Sequence, residues 1–226
     1  MSTGDQLSMP LSAPARPGAQ AQATGEPLIA GAWVLRGLAS EQAALLLAAL
    51  ESVFAAAPLR NMETPGGFRM SVAMTNCGSV GWVSDRSGYR YQPLDPLSGR
   101  PWPAMPEVVR TLAVRAAATA GYEHFAPDAC LVNRYEPGTR LSLHQDRNER
   151  DLAAPVVSLS LGLPATFLLG GTQRNDRPRR VLLESGDVLV FGGPARLAYH
   201  GVAPLQDGLH LHTGRCRINL TVRQAL

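Results

Sequence analysis

Three residues in the second half of the chain have the chemistry of a metal site: His144, Asp146 and His200. Two neutral imidazoles and one carboxylate form a facial triad, which holds Fe(II) on one side and leaves the other coordination positions open. Those open positions accept molecular oxygen and an organic co-substrate. The three residues therefore predict an iron site for oxidation chemistry.

The spacing of His144 and Asp146 is weak support by itself, because a surface histidine beside a solvated aspartate has the same pattern. Residues 140–146 alternate in a way that predicts a strand. A strand places His144 and Asp146 on one face. Both side chains can then reach a single ion.

The third ligand has two candidate sources. His210 and His212 lie in a polar, glycine-flanked segment, residues 206–214, which predicts a surface loop or short hairpin. His200 follows residues 186–193, whose β-branched centre and glycine ends predict a core strand and a turn. We favour His200, since a histidine at a strand end near the core is well placed to face a cavity.

A co-substrate pocket is predicted by Arg217–Arg223, where the odd positions are polar and the even positions are Ile, Leu and Val. This alternation is typical of an exposed sheet face or of the wall of an anion pocket. Guanidinium groups bind carboxylates bidentately, so two of them suit a dicarboxylate such as 2-oxoglutarate. Upstream, Asn133 and Tyr135 share a strand face and add an amide and a phenol.

A resemblance to a known family is carried by seven segments, residues 64–67, 70–78, 101–106, 133–135, 141–146, 219–221 and 223–225. They resemble the AlkB family of Fe(II)- and 2-oxoglutarate-dependent dioxygenases, which repair alkylated nucleic acids, and the similarity covers nearly everything after Pro27. The resemblance implies iron ligands at His144, Asp146 and His200. It implies co-substrate contacts at Asn133, Tyr135, Arg217, Asn219 and Arg223.

The resemblance also implies a fold and a reaction. The fold is mainly β with flanking helices and a double-stranded β-helix (jelly-roll) core. The reaction is oxidative demethylation of 1-methyladenine- or 3-methylcytosine-type bases in DNA, with RNA left open. It uses Fe(II), 2-oxoglutarate and O2 and releases formaldehyde, succinate and CO2. Two alternatives are an oxygenase of the same chemistry acting on a protein or small metabolite, and a nucleic-acid-binding protein without catalysis.

Substrate recognition is predicted within a lid at about residues 60–100, where residues 81–91 combine three aromatics with polar residues and glycines. The aromatics either pack into the core or form a flexible lid. In the lid, Trp82 stacks on a flipped base while Tyr89 and Tyr91 hold the flanking backbone. The resemblance favours the lid for Trp82 and Tyr89 and places Arg174 near the bound strand.

Asn148 departs from the family pattern, because the related bacterial proteins carry an acidic residue there, beside the base. An amide keeps hydrogen bonding but lacks the negative charge. The sequence therefore predicts a weaker preference for positively charged lesions than an aspartate would give.

Composition predicts one catalytic domain, residues 28–226, because 226 residues with 45% apolar content supply one sizeable core. Residues 1–27 predict a disordered tail, which lacks the apolar run of a signal peptide.

Helices are predicted at about 40–57 and 105–120, with mostly short strands from Ala129 onward. No apolar run reaches the length of a membrane span. The three widely separated cysteines predict reduced thiols in a cytoplasmic protein, which we expect to be monomeric.

The charge predicts a polyanionic partner; alkylated DNA, with single strands preferred, is the partner that we expect from the resemblance. The formal net charge is +3 and the isoelectric point is about 9.0, and every basic residue is arginine, with clusters at 134–150 and 174–180. Such clusters favour binding by displacing phosphate counterions. GC-rich coding produces the same arginine-only composition and stays open as the alternative.

Overall fold

The computed structural model describes Met1 and residues 25–226. In that part of the chain, strands dominate and two α-helices interrupt them. The elements in chain order are β1 (Gly25–Ile29), β2 (Ala32–Leu35), α1 (Ala43–Ala56), β3 (Arg60–Glu63), β4 (Arg69–Gly78), β5 (Gly81–Asp85), β6 (Gly88–Gln92), α2 (Glu107–Thr119), β7 (Ala129–Tyr135), β8 (Leu141–His144), β9 (Val156–Gly162), β10 (Ala165–Leu169), β11 (Arg179–Leu183), β12 (Val188–Phe191), β13 (His200–Val202) and β14 (Arg217–Arg223).

Two antiparallel sheets face each other. The larger has the strand order β1-β2-β12-β9-β14-β7-β4-β3 and the smaller the order β11-β10-β13-β8, while β5 and β6 pair as a separate hairpin. One hydrophobic cluster joins both helices to the larger sheet, and a second fills the space between the two sheets. The molecule is therefore mainly β with helices on one side, as the sequence predicted.

Strand β14 shows how alternation creates the site. Ile218, Leu220 and Val222 pack in the cluster that includes both helices, while the odd, polar positions face the space between the sheets. Every residue of β14 is buried, because a layer covers each face. The exposed-face interpretation of this strand is therefore wrong.

Both predicted helices are present, with ends within three residues of the expected ones. Buried residues recur at helical spacing, as in Leu46, Leu50 and Val53 of α1. Residues 40–42 form a 3-10 turn instead of the first turn of α1. Six strands precede Ala129 and were missing from the sequence prediction, because short strands of mixed polarity owe their structure to pairing partners that are distant in the chain.

The structure bears on two predicted boundaries. Residues 2–24 of the predicted tail lie outside the described residues, but residues 25–27 belong to β1, where Gly25 pairs with Leu35 of β2. The predicted lid at 60–100 stays a prediction; within this range β3 and β4 join the larger sheet, where Met74 pairs with Asn133. Only the hairpin of β5 and β6, which is regular rather than a loop, stands apart from both sheets.

Two further expectations concern the membrane and the cysteines. Among the described residues, no helix is long and apolar enough to cross a bilayer. Cys77, Cys130 and Cys216 are free thiols; the first two are buried and the third is partly buried.

Candidate iron and co-substrate site

The predicted triad comes together between the two sheets. His200 on β13 lies directly opposite His144 on β8, so the two ring centroids are 4.4 Å apart. Asp146 lies just beyond the end of β8, and its Oδ1 and Oδ2 are 3.7 Å and 3.8 Å from Nε2 of His144 and His200. One ligand atom from each residue lies within 4.8 Å of the others, a spacing that suits one metal ion.

Both imidazoles present a free nitrogen to this point. Nδ1 of His144 is 2.9 Å from the carbonyl oxygen of Ser142, and Nδ1 of His200 is 3.0 Å from that of Ala198. A carbonyl oxygen only accepts, so each Nδ1 donates and each Nε2 keeps its lone pair for a metal. Burial, together with the neighbouring His144, lowers the pKa of His200 to about 4, which keeps this ligand neutral at neutral pH.

Asp146 is held ionised in a buried position. Burial by itself would raise the pKa of its carboxyl group, but Arg223 and the two imidazoles hold that pKa well below its usual range. Arg223 donates from Nε and Nη2 to Asp146 Oδ2. The carboxylate is therefore oriented and available as a ligand.

Arg217 fits the anion of a co-substrate. Its side chain is buried, yet Nε and Nη1 have no hydrogen-bond partner among the described residues. Nη2 donates to Ser160 Oγ at 2.9 Å, and burial lowers the pKa of the guanidinium. A buried cation with orphaned donors is costly unless an anion pairs with it, and a carboxylate of 2-oxoglutarate supplies that anion.

Polar groups around Arg217 complete this pocket. Asn133 Oδ1 is also buried, and no described residue forms a hydrogen bond with it. Burial raises the pKa of Tyr135 to about 12, so its phenol stays protonated and can donate. Asn219 is held by Ser158 Oγ and the carbonyl oxygen of Leu159, both at 2.8 Å.

A cavity of about 950 Å³ joins the metal ligands and the pocket to solvent. All the sequence-predicted site residues except Tyr91 line this cavity. They are Trp82, Tyr89, Asn133, Tyr135, His144, Asp146, Asn148, Arg174, His200, Arg217, Asn219 and Arg223. His210, the rejected alternative ligand, does not line it.

Tyr91 is the exception. It does not line the cavity; its hydroxyl donates to Glu149 Oε1 at 2.6 Å, and its ring packs against Val80, Ala129 and Ala225. The structure therefore directs the Tyr91 hydroxyl towards Glu149 and not into the cavity, and the contact of Tyr91 with the substrate backbone stays a prediction. No local pattern in the sequence indicates that the buried Glu149 accepts a hydrogen bond from this hydroxyl.

The hairpin that carries Trp82 is tied to the larger sheet. The side chain of Asn76 on β4 donates to the carbonyl oxygen of Trp82 at 2.9 Å and accepts from its backbone N–H at 3.0 Å. The Trp82 indole donates to Asn148 Oδ1 at 3.3 Å. These bonds fix the position of the indole at the cavity mouth.

Sequence reasoning missed a buried ionic network behind the metal ligands. Arg196 donates to Glu149 Oε2 at 3.0 Å and to the backbone oxygen of Asp146 at 2.6 Å. Arg223 Nε lies 3.4 Å from Glu149 Oε1. Glu149 follows Asp146 by three residues, but Arg196 is distant in the chain and no local pattern distinguishes it.

The geometry agrees with comparisons to known proteins. The profile of the 2OG-Fe(II) oxygenase superfamily matches residues 31–223. The chain is 56% identical over 207 residues to the alpha-ketoglutarate-dependent dioxygenase AlkB of Escherichia coli (strain K12). The matched residues make up 92% of this chain and 96% of that protein. The chain belongs to the AlkB family of 2OG-Fe(II) oxygenases. It is an Fe(II)- and 2-oxoglutarate-dependent dioxygenase.

Other AlkB-family relatives support the fold and extend the range of similarity. The solved structure of OsALKBH1 superposes with a TM-score of 0.76 at 28% identity, covering 89% of this chain and all of that one (100%). The predicted jelly-roll class is thereby confirmed. The tRNA demethylase abh1 of Schizosaccharomyces pombe is 39% identical over 113 residues, which cover 45% of this chain and 37% of that protein.

Proposed function

We propose that this dioxygenase removes methyl groups from N-alkylated bases of nucleic acids, of the 1-methyladenine and 3-methylcytosine type. An aromatic pair at the cavity mouth carries the proposal. The rings of Trp82 and Tyr89 stack 5.6 Å apart at 14°, and both line the cavity that contains the metal ligands. Aromatic faces bind unstacked bases with about 1–3 kcal/mol per base, so a flipped base between mouth and triad brings its methyl group to the metal.

The rim of the cavity supports a polyanionic substrate. Arg69, Arg140, Arg147 and Arg174 line it, and all four are exposed. Guanidinium groups bind phosphates bidentately. The name of the fission-yeast relative records demethylation of a nucleic acid. We propose single-stranded DNA as the preferred substrate, since no base pair then opposes extrusion of the base; RNA is the further candidate.

The residues of this chain bind and orient the reactants. His144, Asp146 and His200 hold the metal, and Arg217, with Asn133 and Tyr135 beside it, holds a carboxylate of the co-substrate. When bound, iron, 2-oxoglutarate and O2 would supply the oxidation: one oxygen atom of O2 would go to the N-methyl carbon, which leaves as formaldehyde, and the other to 2-oxoglutarate, which becomes succinate and CO2.

The wall of the cavity beside His200 is apolar. The ring centroids of Phe191 and Phe167 lie 4.9 Å and 5.8 Å from that of His200. These apolar rings protect the reacting carbon from unproductive side reactions. We further propose that the protein acts as a monomer in the cytoplasm, where its three thiols stay reduced.

The test uses the full chain with Fe(II), 2-oxoglutarate, oxygen and a single-stranded oligonucleotide that carries one 1-methyladenine. We expect mass spectrometry to show the loss of one methyl group only when 2-oxoglutarate is present, and no loss with Asp146→Ala. Turnover of a peptide or metabolite but of no DNA or RNA lesion would overturn the proposal in favour of the same chemistry on another substrate.

A further inference from the structure

A second concave surface lies beside the catalytic cavity, along the four-stranded sheet. It has a volume of about 460 Å³ and includes Leu168 of β10, Arg180 of β11 and residues 141–143 of β8. Residues 140–143, Arg174 and Val202 line both this surface and the cavity. The two are therefore continuous, and a chain that enters the cavity can extend along this surface.

Three arginines dominate it, and we call it the arginine groove after Arg140, Arg174 and Arg180. All three are exposed, and no Asp or Glu is among the described residues that line the groove. Within the described part of the chain, none of the three forms an ion pair. Three neighbouring cations without an acidic partner favour a ligand with several negative charges.

The groove is long enough for such a ligand because it crosses the sheet. Arg180 pairs with Leu168, Leu168 pairs with Gly201, and β13 pairs in turn with β8, which Arg140 precedes. β11 and β8 are the two edges of this sheet. Three strand spacings of about 4.8 Å separate the edges by about 14 Å. Several successive phosphates fit along this length, at about 3.4 Å of rise per nucleotide.

The groove also offers neutral hydrogen-bonding groups and a positioned cation. Ser142 and Asn175 line it beside the arginines. The guanidinium of Arg174 lies over the ring of Tyr199, 5.8 Å from its centroid, which holds it at the border with the catalytic cavity. Arginines with scattered neutral donors suit recognition of a phosphate backbone without reading bases.

We propose that the arginine groove binds the phosphodiester backbone of the strand whose base occupies the catalytic cavity, on the side that leaves the cavity past Arg174. The proposal rests on the proposed function. The groove determines how many nucleotides beyond the flipped base the protein contacts. A strand too short to leave the cavity does not reach the groove, so the groove adds nothing to its affinity. A longer strand binds more tightly, and this added affinity decreases as the salt concentration rises.

The test compares wild type and Arg180→Gln by fluorescence anisotropy, over a range of salt concentrations. The probes are a lesion-bearing trinucleotide and a single strand of about twelve nucleotides with the same lesion. Each phosphate contact contributes about 0.7 to the slope of log K against log salt concentration for single strands. We expect Arg180→Gln to reduce the slope by about 0.7 with the long strand and to leave the binding of the trinucleotide unchanged.

Arg177→Gln is the matched control, because Arg177 is an exposed arginine just before β11 that does not line the groove. Equal loss of slope in both variants would mean a general charge effect and would overturn the proposal. An unchanged slope in Arg180→Gln, with wild type still demethylating the long strand, would overturn the groove alone. Arg180-dependent binding of a polyglutamate peptide but not of the strand would replace nucleic acid with an acidic protein. Failure of wild type to bind or demethylate any nucleic acid would instead overturn the proposed function.

Discussion

Arg223 donates two hydrogen bonds to the same oxygen of Asp146, from Nε at 2.9 Å and from Nη2 at 2.6 Å. The same guanidinium lies beside Glu149, which in turn accepts from Arg196. A metal ligand is therefore one end of a buried chain of alternating charges. Removing one member of such a chain leaves an uncompensated buried charge, so the chain positions Asp146 before the metal binds.

The ligand assignment predicts opposite results for two substitutions. Asp146→Ala removes the only carboxylate of the triad, and we expect it to abolish turnover and iron retention. Arg223 keeps Glu149 as a partner, so we expect the variant to fold, with a lower melting temperature because two buried arginines then share one carboxylate. His210→Ala alters a residue outside the cavity, and we expect nearly full activity. Turnover, bound iron and thermal melting are measured for both. Loss of activity in His210→Ala but not in Asp146→Ala would reverse the assignment.

Arg217→Lys is expected to raise the KM for 2-oxoglutarate about 10- to 100-fold, because a lysine keeps the charge but loses the fork of donors. A hydrogen bond to a charged group is worth about 1.5–3 kcal/mol. The KM for the oligonucleotide should change little. Arg134→Lys is the control, since Arg134 lies on the adjacent strand but is exposed and pairs with Glu136. Equal KM values in the two variants would remove Arg217 from the co-substrate pocket.

Asn148→Asp is expected to increase the preference for cationic over neutral lesions roughly five-fold, which corresponds to the ~1 kcal/mol of an exposed charge pair. Asn148 is exposed at the cavity mouth and accepts from the Trp82 indole; an aspartate keeps this acceptor and adds a charge. The ratio of kcat/KM for 1-methyladenine to that for a neutral lesion is the measurement. The same ratio in both proteins would contradict this prediction.

Tyr91→Phe tests the link between the hairpin and the ionic network. The variant loses the bond to Glu149, which frees one end of the hairpin that carries Trp82. We expect the KM for the oligonucleotide to rise about tenfold, or ~1.4 kcal/mol, while the affinities for iron and 2-oxoglutarate stay unchanged. Tyr89→Phe, which keeps the ring that stacks on Trp82, is the control. A defect in iron binding without a change in this KM would show that Tyr91 supports the fold only.

The lowered pKa of His200 predicts a pH effect on the stability of the metal-free protein. The folded value is about 4 and the ordinary value is 6.5, so between these the unfolded chain binds the proton more readily. Stability is therefore lost as the pH falls from about 6.5 to about 4. In urea unfolding across this range, the free energy of unfolding should fall with decreasing pH more steeply for wild type than for His200→Gln. Parallel curves for the two proteins would contradict the prediction.

The features of the fold and site that could be predicted are those that depend on residues close together in the sequence. The alternation of β14 placed Arg217 and Asn219 on one face and Leu220 on the other, because side chains along a strand alternate with a period of two. The helix predicted at about 40–57 was also found, because apolar residues such as Leu46 and Leu50 recur with the helical period and are buried together. The bond of Tyr91 to Glu149 could not be predicted because Glu149 lies on another segment, and the strands before Ala129 were missed because their pairing partners are distant.

The sequence by itself determined the types of group available: two imidazoles and a carboxylate for iron, guanidinium groups for an anion, and aromatics for a base. Tertiary structure decided their arrangement. It set His200 opposite His144 across β13 and β8, paired Arg223 with Asp146, left Arg217 with orphaned donors and aligned three arginines along one groove. These relationships depend on strand pairing between distant segments and on burial that strengthens electrostatic interactions, and neither is encoded in the spacing of neighbouring residues.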